Sequence, residues 1–336
     1  MPAEWEKHEA TWLCWPHNKN DWPGKIIPIR WVYGEIVRAI AEGEKVRMIV
    51  PSAKHELQAK RVLSQACAPM ENVEFFRWPT DRGWTRDFGP IFVKRKKEVA
   101  IVDFRFNAWA KYPDHKKDDR IAKCVAAKFR KVRFDASHFV LEGGAIDVNG
   151  RGTLITTEEC LLDQELQTRN PGWSKERTEK GLRDHLGVKN ILWLGKGIAG
   201  DDTHGHVDDL CRFVNPTTVV LCQEKNPQDT NYKPLNENRE RLMGMRLEDG
   251  SKIQVVHLPM PKPVVFDGQR LPASYANFYI SNAAVIVPTF NDPTDRTALG
   301  ILAGLFPTRT VVGIHAVDLV WGLGTLHCLT QQQPSG

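Results

Sequence analysis

Val73-Glu74-Phe75-Phe76, followed after a short polar stretch by Trp84-Thr85-Arg86-Asp87-Phe88-Gly89-Pro90 and then Ile91-Phe92-Val93, sets two apolar, strand-like runs on either side of a loop that carries an acid. The same arrangement recurs four times. Runs 139–141 and 145–148 flank Glu142-Gly143-Gly144; runs 191–194 and 210–214 flank a loop ending in His204-Gly205-His206-Val207-Asp208-Asp209. Runs 255–258 and 278–280 are joined by way of Tyr275-Ala276-Asn277, and run 311–314 leads to the loop of Cys328. Asp87, Glu142, His206, Asn277 and Cys328 mark these loops, 55, 64, 71 and 51 residues apart. Helical spacing punctuates the units: Ile29, Val32, Ile36 and Ile40 lie three or four apart with Gly43 as a stop, and Ala298, Ile301, Leu302 and Leu305 repeat the pattern. A repeat of roughly sixty residues is longer than common solenoid units and suits mixed α/β blades arranged radially. One end of such an array gathers all five loops. No Pro/Gly/Ser-rich linker divides the chain, so residues 1–336 are expected to form a single α/β propeller domain.

Composition narrows the function classes. Hydrophobic content of 41% and charged content of 26% are those of a soluble globular protein. Met1-Pro2-Ala3-Glu4-Trp5-Glu6 lacks the basic and apolar segments of a signal peptide, and no apolar run approaches the about 20 residues that span a bilayer, so a cytoplasmic protein with no membrane partner is expected. Seven scattered cysteines fit a reducing compartment better than a disulfide framework. The net charge of +5 is modest and its basic residues are mixed with acids; Lys94-Arg95-Lys96-Lys97-Glu98 reads as a hairpin cap, not a nucleic-acid surface. Of the eleven tryptophans, Trp5, Trp12, Trp15, Trp22, Trp31, Trp78, Trp84 and Trp109 fall in the first third, as core and as walls for a pocket.

The last cysteine closes Gly322-Leu323-Gly324-Thr325-Leu326-His327-Cys328, just before the polar tail Thr330-Gln331-Gln332-Gln333. Two glycines let the backbone approach a ligand, so this thiol is expected to be presented rather than buried. Cys124, Cys211 and Cys222 sit in apolar patterns and read as small core residues. With a free pKa of roughly 8.5, a thiol needs a base or a cation beside it to act as nucleophile. Asp87, Glu142 and Asp208 would instead raise its pKa, which makes sense only if the substrate brings positive charge. A guanidinium fits best: it is planar, permanently charged and donates paired N–H groups to a carboxylate. Two aspartates would hold its central carbon near the sulfur, and His206 would protonate departing ammonia and then activate water against a thiouronium intermediate.

Each motif also has a plainer reading. The Trp84 loop could be a turn with Arg86 and Asp87 as a surface ion pair, Glu142-Gly143-Gly144 a simple turn, and Asn277 a side chain satisfying backbone groups. His204, His206 and Asp208 have the His-x-His-x-Asp spacing of binuclear zinc hydrolases of the metallo-β-lactamase type, although Asp209 stands where a further His belongs and no second His cluster completes the site. A metal-free site without a cofactor is the expectation.

Taken together, Pro2-Ala3-Glu4-Trp5, Trp12-Leu13-Cys14-Trp15-Pro16, the Trp84–Pro90 loop, Glu142-Gly143-Gly144, Gly205-His206-Val207-Asp208, Ala273-Ser274-Tyr275-Ala276-Asn277 and His327-Cys328-Leu329-Thr330-Gln331-Gln332 resemble the agmatine deiminases, of the branch shared with bacterial peptidylarginine deiminases in the guanidine-modifying superfamily. The resemblance covers nearly the whole chain. It implies a five-bladed, pseudo-fivefold pentein fold and cofactor-free hydrolysis of agmatine to N-carbamoylputrescine and ammonia, a step from arginine to putrescine in polyamine biosynthesis. It implies Cys328 as nucleophile, His206 as general acid and base, Asp87 and Asp208 as guanidinium clamps, and Glu142 in support. Trp84 and Asn277 would lie beside the substrate and Asp202 at its far end. For assembly it implies a homodimer or homotetramer. Leu323 and Thr325 interrupt the family's Gly-Gly-Gly-Asn-Ile-His-Cys pattern, Asp202 replaces a Glu, and His204 replaces an Asn. Rival readings are a deiminase of free or C-terminal peptidyl arginine, with Arg86 or another basic residue receiving the carboxylate, an amidino transferase, a metallohydrolase and an inactive guanidine-binding protein.

Overall fold

The computed structural model describes residues 1–336, and five sheets correspond to the five repeats. In the second, Ile91–Arg95 and Glu98–Arg105 form an antiparallel hairpin, the helix Ile121–Phe129 crosses over, and Arg133–Val140 returns parallel to the middle strand. A parallel return needs such a crossover, which is why a helix separates these strands. The third unit repeats the order with Asp147–Val148, Thr153–Thr157, helix Lys175–Leu186 and Asn190–Leu194. The fourth does so with Cys211–Asn215, Thr218–Gln223, helix Tyr232–Gly244 and Gln254–Pro259. The fifth has Tyr279–Ile280, Ala284–Thr289, helix Asp295–Leu305 and Thr310–His315. The 94–98 run is the hairpin turn expected of it.

The first unit draws on both ends of the chain. His8–Cys14 pairs parallel with Lys45–Val50 across the helix Ile26–Ala41, and antiparallel with the C-terminal strand Thr330–Pro334; helix Ala53–Gln65 and strand Val73–Arg77 extend the sheet. The polar tail of the sequence is therefore a buried strand. Its amides find specific partners, Gln331 Oε1 excepted: Gln331 donates to the Pro90 carbonyl (2.8 Å), Gln332 accepts from Arg86 (2.7 Å), and Gln333 accepts from Trp12 and Arg47 and donates to Glu9. Burying an amide is tolerable only when it is paired in this way. The strand starts two residues after Cys328, so closing the array also sets the position of the thiol.

Helix Ile26–Ala41 buries Ile29, Ile36 and Ile40 of the face its spacing predicts, with Tyr33 and Val37 beside them, while Val32 is only half-buried and Trp31 stays 47% exposed. Trp12, Trp15 and Trp22 are fully buried in the larger core, and a smaller core between the second and third sheets holds Ile91, Phe139, Leu154, Leu182 and Trp193. Cys211 and Cys222 are core residues as expected, whereas Cys124 is only half-buried, on the edge of its helix face. No helix is long and apolar enough to cross a membrane.

Candidate active site

Each connection between units is one of the five loops, and their side chains meet. Asp87 sits on the helical turn Thr85–Phe88; its Oδ1 accepts from the Gly144 amide (3.1 Å) and its Oδ2 from Trp109 Nε1 (2.9 Å). Trp109 is delivered by three consecutive left-handed residues, Ala108, Trp109 and Ala110 (φ 51, 59 and 55°). For residues with a Cβ that conformation costs roughly 1–2 kcal/mol each, strain of the kind that accumulates at functional sites. His206 is held by Asp201, whose Oδ2 accepts from the amides of Gly205 (2.7 Å) and His206 (3.1 Å). Gly144 lets the first three loops converge: a Cβ there would lie 2.5 Å from His206 Nδ1 and 2.9 Å from Asp87 Oδ1. Gly144→Ala is expected to lower kcat/KM about 100-fold, because displacement of a reacting group by about 1 Å costs that much. Overpacking adds about 1–3 kcal/mol of destabilisation, read as a lowered Tm.

At the centre lies an imidazole ringed by acids. His206 Nδ1 is 3.8 Å from Asp87 Oδ1 and 3.9 Å from Asp208 Oδ1, and its Nε2 is 3.8 Å from Glu142 Oε2. These separations exceed hydrogen-bond length, and both ring nitrogens, Glu142 Oε2 and Asp208 Oδ1 are buried without a partner. Glu142 Oε1 is tied to Arg169 Nε (3.0 Å). Burial raises the Glu142 carboxyl, but Arg169 and His206 outweigh it and bring it down to about 2. Burial pushes Asp87 up, to about 6, with Asp208 and Glu142 adding to the push and His206 opposing it. Burial lowers His206, yet Asp87, Cys160 and Glu142 together raise it well above the usual imidazole range, which favours its protonated form.

Cys328, on the turn Leu326–Leu329, is 5% exposed: the thiol faces the cavity rather than bulk solvent, contrary to the presented thiol expected from the flanking glycines. Burial and then Asp208, Asp209 and Asp87 push it well above the usual thiol range. Asn277 Oδ1 accepts from Thr325 Oγ1 (2.7 Å), the His327 amide (3.0 Å) and the Cys328 amide (3.4 Å). With its oxygen so engaged, the amide nitrogen is directed to Asp209 Oδ1 (2.9 Å) and Cys328 Sγ (3.1 Å). A donor aimed at sulfur favours the thiolate.

A cavity of about 200 Å³ reaches Asp87 and Cys328 between Trp84, Trp109, Tyr112, Trp321 and Leu323, with Asp21, Arg82 and Asp202 also on its wall. Gly324 lies flat against it, since a Cβ would sit 2.8 Å from Trp84 and 3.2 Å from Cys328 Sγ. Asp202 is bonded to Lys111 Nζ and to Tyr112 Oη (2.7 Å). Cys328, Asp87, Trp84 and Asp202 thus share one cavity, and His206, Glu142, Asp208 and Asn277 stand immediately behind it.

Two sequence readings are corrected. Arg86 is no surface ion pair and no carboxylate receptor: it is buried and spent on the His327 carbonyl, Gln332 and Glu4. His204 does not join His206 and Asp208 as a metal triad, because its ring pairs with Asp163 (2.7 Å). The ligating atoms that do converge belong to Glu142, Cys160 and His206, and to Asp208, Asp209 and Cys328. Trp109, one of the early tryptophans read as core or pocket wall, lines the cavity and also bonds Asp87, whereas sequence reasoning assigned no role to Arg169, Asp209 or Cys160. Asp209 was legible beside Asp208, but nothing local marks Arg169, 27 residues beyond Glu142.

Over residues 1–334 the chain matches the family described as Porphyromonas-type peptidyl-arginine deiminase. It is 37% identical to an agmatine deiminase of Pseudomonas aeruginosa (strain LESB58) over 359 residues, spanning 100% of this chain and 95% of the other. Among solved structures it is similar to the agmatine deiminase of Enterococcus faecalis (TM-score 0.93, 33% identity, 100% and 95% of the two chains). It is likewise similar to a Cys-to-Ser variant of the C. jejuni agmatine deiminase with substrate bound (TM-score 0.89, 32% identity, 100% and 96%). The five-unit α/β propeller expected from the sequence is the fold these structures share.

Proposed function

The chain belongs to the Porphyromonas-type peptidyl-arginine deiminase family, and from that premise we propose that residues 1–336, as one domain, hydrolyse the guanidinium group of agmatine to N-carbamoylputrescine and ammonia, a step toward putrescine, with Cys328 as nucleophile. One observation carries the reading. Glu142 Oε2 and Asp208 Oδ1 are fully buried acceptors without donors, grouped around His206 beside the cavity that ends at Cys328. Leaving a buried charged acceptor unsatisfied is costly, and a planar cation with several N–H donors removes that cost.

The roles follow from charge. Asp87 and Asp208 clamp the guanidinium and hold its carbon against Sγ. The bound cation offsets the carboxylates that raise the thiol, so the proton is lost to water once substrate is bound. The thiolate forms a C–S bond, protonated His206 gives its proton to one terminal nitrogen, and the C–N bond breaks to release ammonia. Neutral His206 then takes a proton from water as its oxygen adds to the thiouronium carbon. The C–S bond breaks, the hydroxyl proton is lost to solvent, and the ureido product leaves.

Agmatine is favoured over arginine by the cavity mouth. Arg82 is paired with Asp21 (3.0 Å) and Asp114 (2.9 Å), and Lys111 with Asp202, so these cations are already bound to carboxylates. Three carboxylates against two cations suit an ammonium group better than a second carboxylate. Since Asp87 must be ionised to hold the cation and the thiol must also lose its proton, log kcat/KM is expected to rise with pH, with its slope steeper by about one unit below about pH 6. A slope that does not change down to pH 5 would remove Asp87 from the clamp. The deciding assay is release of ammonia and ureido product from agmatine, arginine and a blocked arginine peptide. Turnover of agmatine alone is expected; preference for arginine or the peptide would overturn the substrate, and silence on all three the reading itself.

A further inference from the structure

Glu4 lies in the first turn of the chain and is 4% exposed. The segment is anchored by the Met1 amine on the Leu186 carbonyl (2.7 Å), the Ala3 amide on Glu6 (2.9 Å) and the Glu4 carbonyl on His8 Nε2 (2.6 Å). The Glu4 carboxylate collects donors from four separate parts of the ring. Its Oε1 accepts from Arg212 Nη2 (2.9 Å) and the Ile280 amide (2.9 Å); its Oε2 accepts from His327 Nε2 (2.8 Å) and Arg86 Nη2 (3.1 Å). Arg86 immediately precedes Asp87, and His327 immediately precedes Cys328. His327 Nδ1 meets Asp208 Oδ2 at 2.6 Å. With a carboxylate oxygen within hydrogen-bond distance of each ring nitrogen, both nitrogens of His327 are engaged, and the ring is not free to act as a base on Cys328. A buried cluster of this kind adds little net stability over an apolar one of equal shape, so its contribution is geometric.

We propose that Glu4 is a positioning residue for catalysis: from the centre of the ring it fixes the residue before each of Asp87 and Cys328 and, through His327, locks Asp208 Oδ2 so that Oδ1 faces the guanidinium. The first residues of the chain, far in sequence from every catalytic loop, are therefore part of the catalytic apparatus. Arg86 and Arg212 neutralise the carboxylate that does this, and Arg86 also braces the His327 carbonyl (3.3 Å). This rests on the guanidine-hydrolase reading above.

The test measures agmatine binding by calorimetry on a Cys328→Ala parent, with melting temperature recorded for every variant. A glutamine amide nitrogen reaches the place of imidazole Nε2, so His327→Gln keeps the Glu4 contact and leaves Asp208 Oδ2 without its donor. An asparagine nitrogen takes the place of Nδ1, so His327→Asn keeps Asp208 and releases Glu4. His327→Gln is expected to weaken binding about 10- to 100-fold, the usual cost of losing a group that orients a ligand-binding side chain. His327→Asn and Glu4→Gln are expected to weaken it about three- to tenfold, the worth of one hydrogen bond. Parent-like affinity in His327→Asn and in every Glu4→Gln that folds overturns the role of Glu4. Equal losses in the two His327 variants, or losses that simply follow melting temperature, overturn the route through Asp208. A Cys328→Ala parent that binds no agmatine overturns the guanidine-hydrolase reading itself, and the positioning role falls with it.

Discussion

Cys328→Ala is expected to lower kcat about 10⁴-fold or more while leaving the fold and agmatine binding in place. In the proposed mechanism the thiol forms the bond to carbon, whereas the clamp consists of Asp87 and Asp208, which the substitution does not touch. When sulfur is removed Asn277 keeps its bond to Asp209 and gives up only the N–H directed at Sγ, so the fold loses a single hydrogen bond. The informative control is Cys160→Ala. Both thiols lie near the ring of acids, Cys160 beside His206 and Glu142, and Cys328 beside Asp208 and Asp209. Only Cys328 faces the cavity, so the loss is expected to be at least 100-fold smaller for Cys160→Ala. Ammonia release by both proteins at saturating agmatine decides the matter; substantial turnover by Cys328→Ala would reject it as the nucleophile.

The five loops were legible because each is short, carries a chemical marker, and is flanked by runs of apolar residues at strand length. That local pattern is enough to place Asp87, Glu142, His206, Asn277 and Cys328 at the same end of consecutive units. What composition hid is long-range pairing. By composition Thr330-Gln331-Gln332-Gln333 is only a polar tail; it is a buried strand because Arg86, Trp12, Arg47 and Glu9 supply partners from elsewhere in the chain. Arg86 itself reads as a surface residue for the same reason, and its partners Glu4 and Gln332 lie 82 and 246 positions away. Trp109 reaches Asp87 only through three left-handed residues, a conformation that Ala108-Trp109-Ala110 does nothing to advertise. The candidate side chains could be named from their loops, whereas the network that orients them exists only after the ring has closed.

Asp208→Asn is expected to lower kcat/KM about 10³-fold, more than loss of one charge from an open site would cost. Asp208 Oδ2 accepts from His327 Nδ1, whose other nitrogen is committed to Glu4, so the ring cannot turn to suit an amide. An asparagine must keep its oxygen toward His327 and therefore points its NH₂ group along the Oδ1 direction, a donor facing the donors of the guanidinium. The substrate then loses an ionic acceptor and meets an unpaired buried donor; breaking a buried pair on one side costs about 3–5 kcal/mol, or about 10²- to 10⁴-fold. Folding should survive, because the side chain keeps its size and its bond to His327. Asp209 becomes easier to ionise once its neighbour is neutral, but its Oδ1 stays with Asn277. Agmatine affinity on the Cys328→Ala background should fall together with kcat/KM. If affinity is retained while turnover disappears, Asp208 acts on the transition state alone and the clamp is left to Asp87.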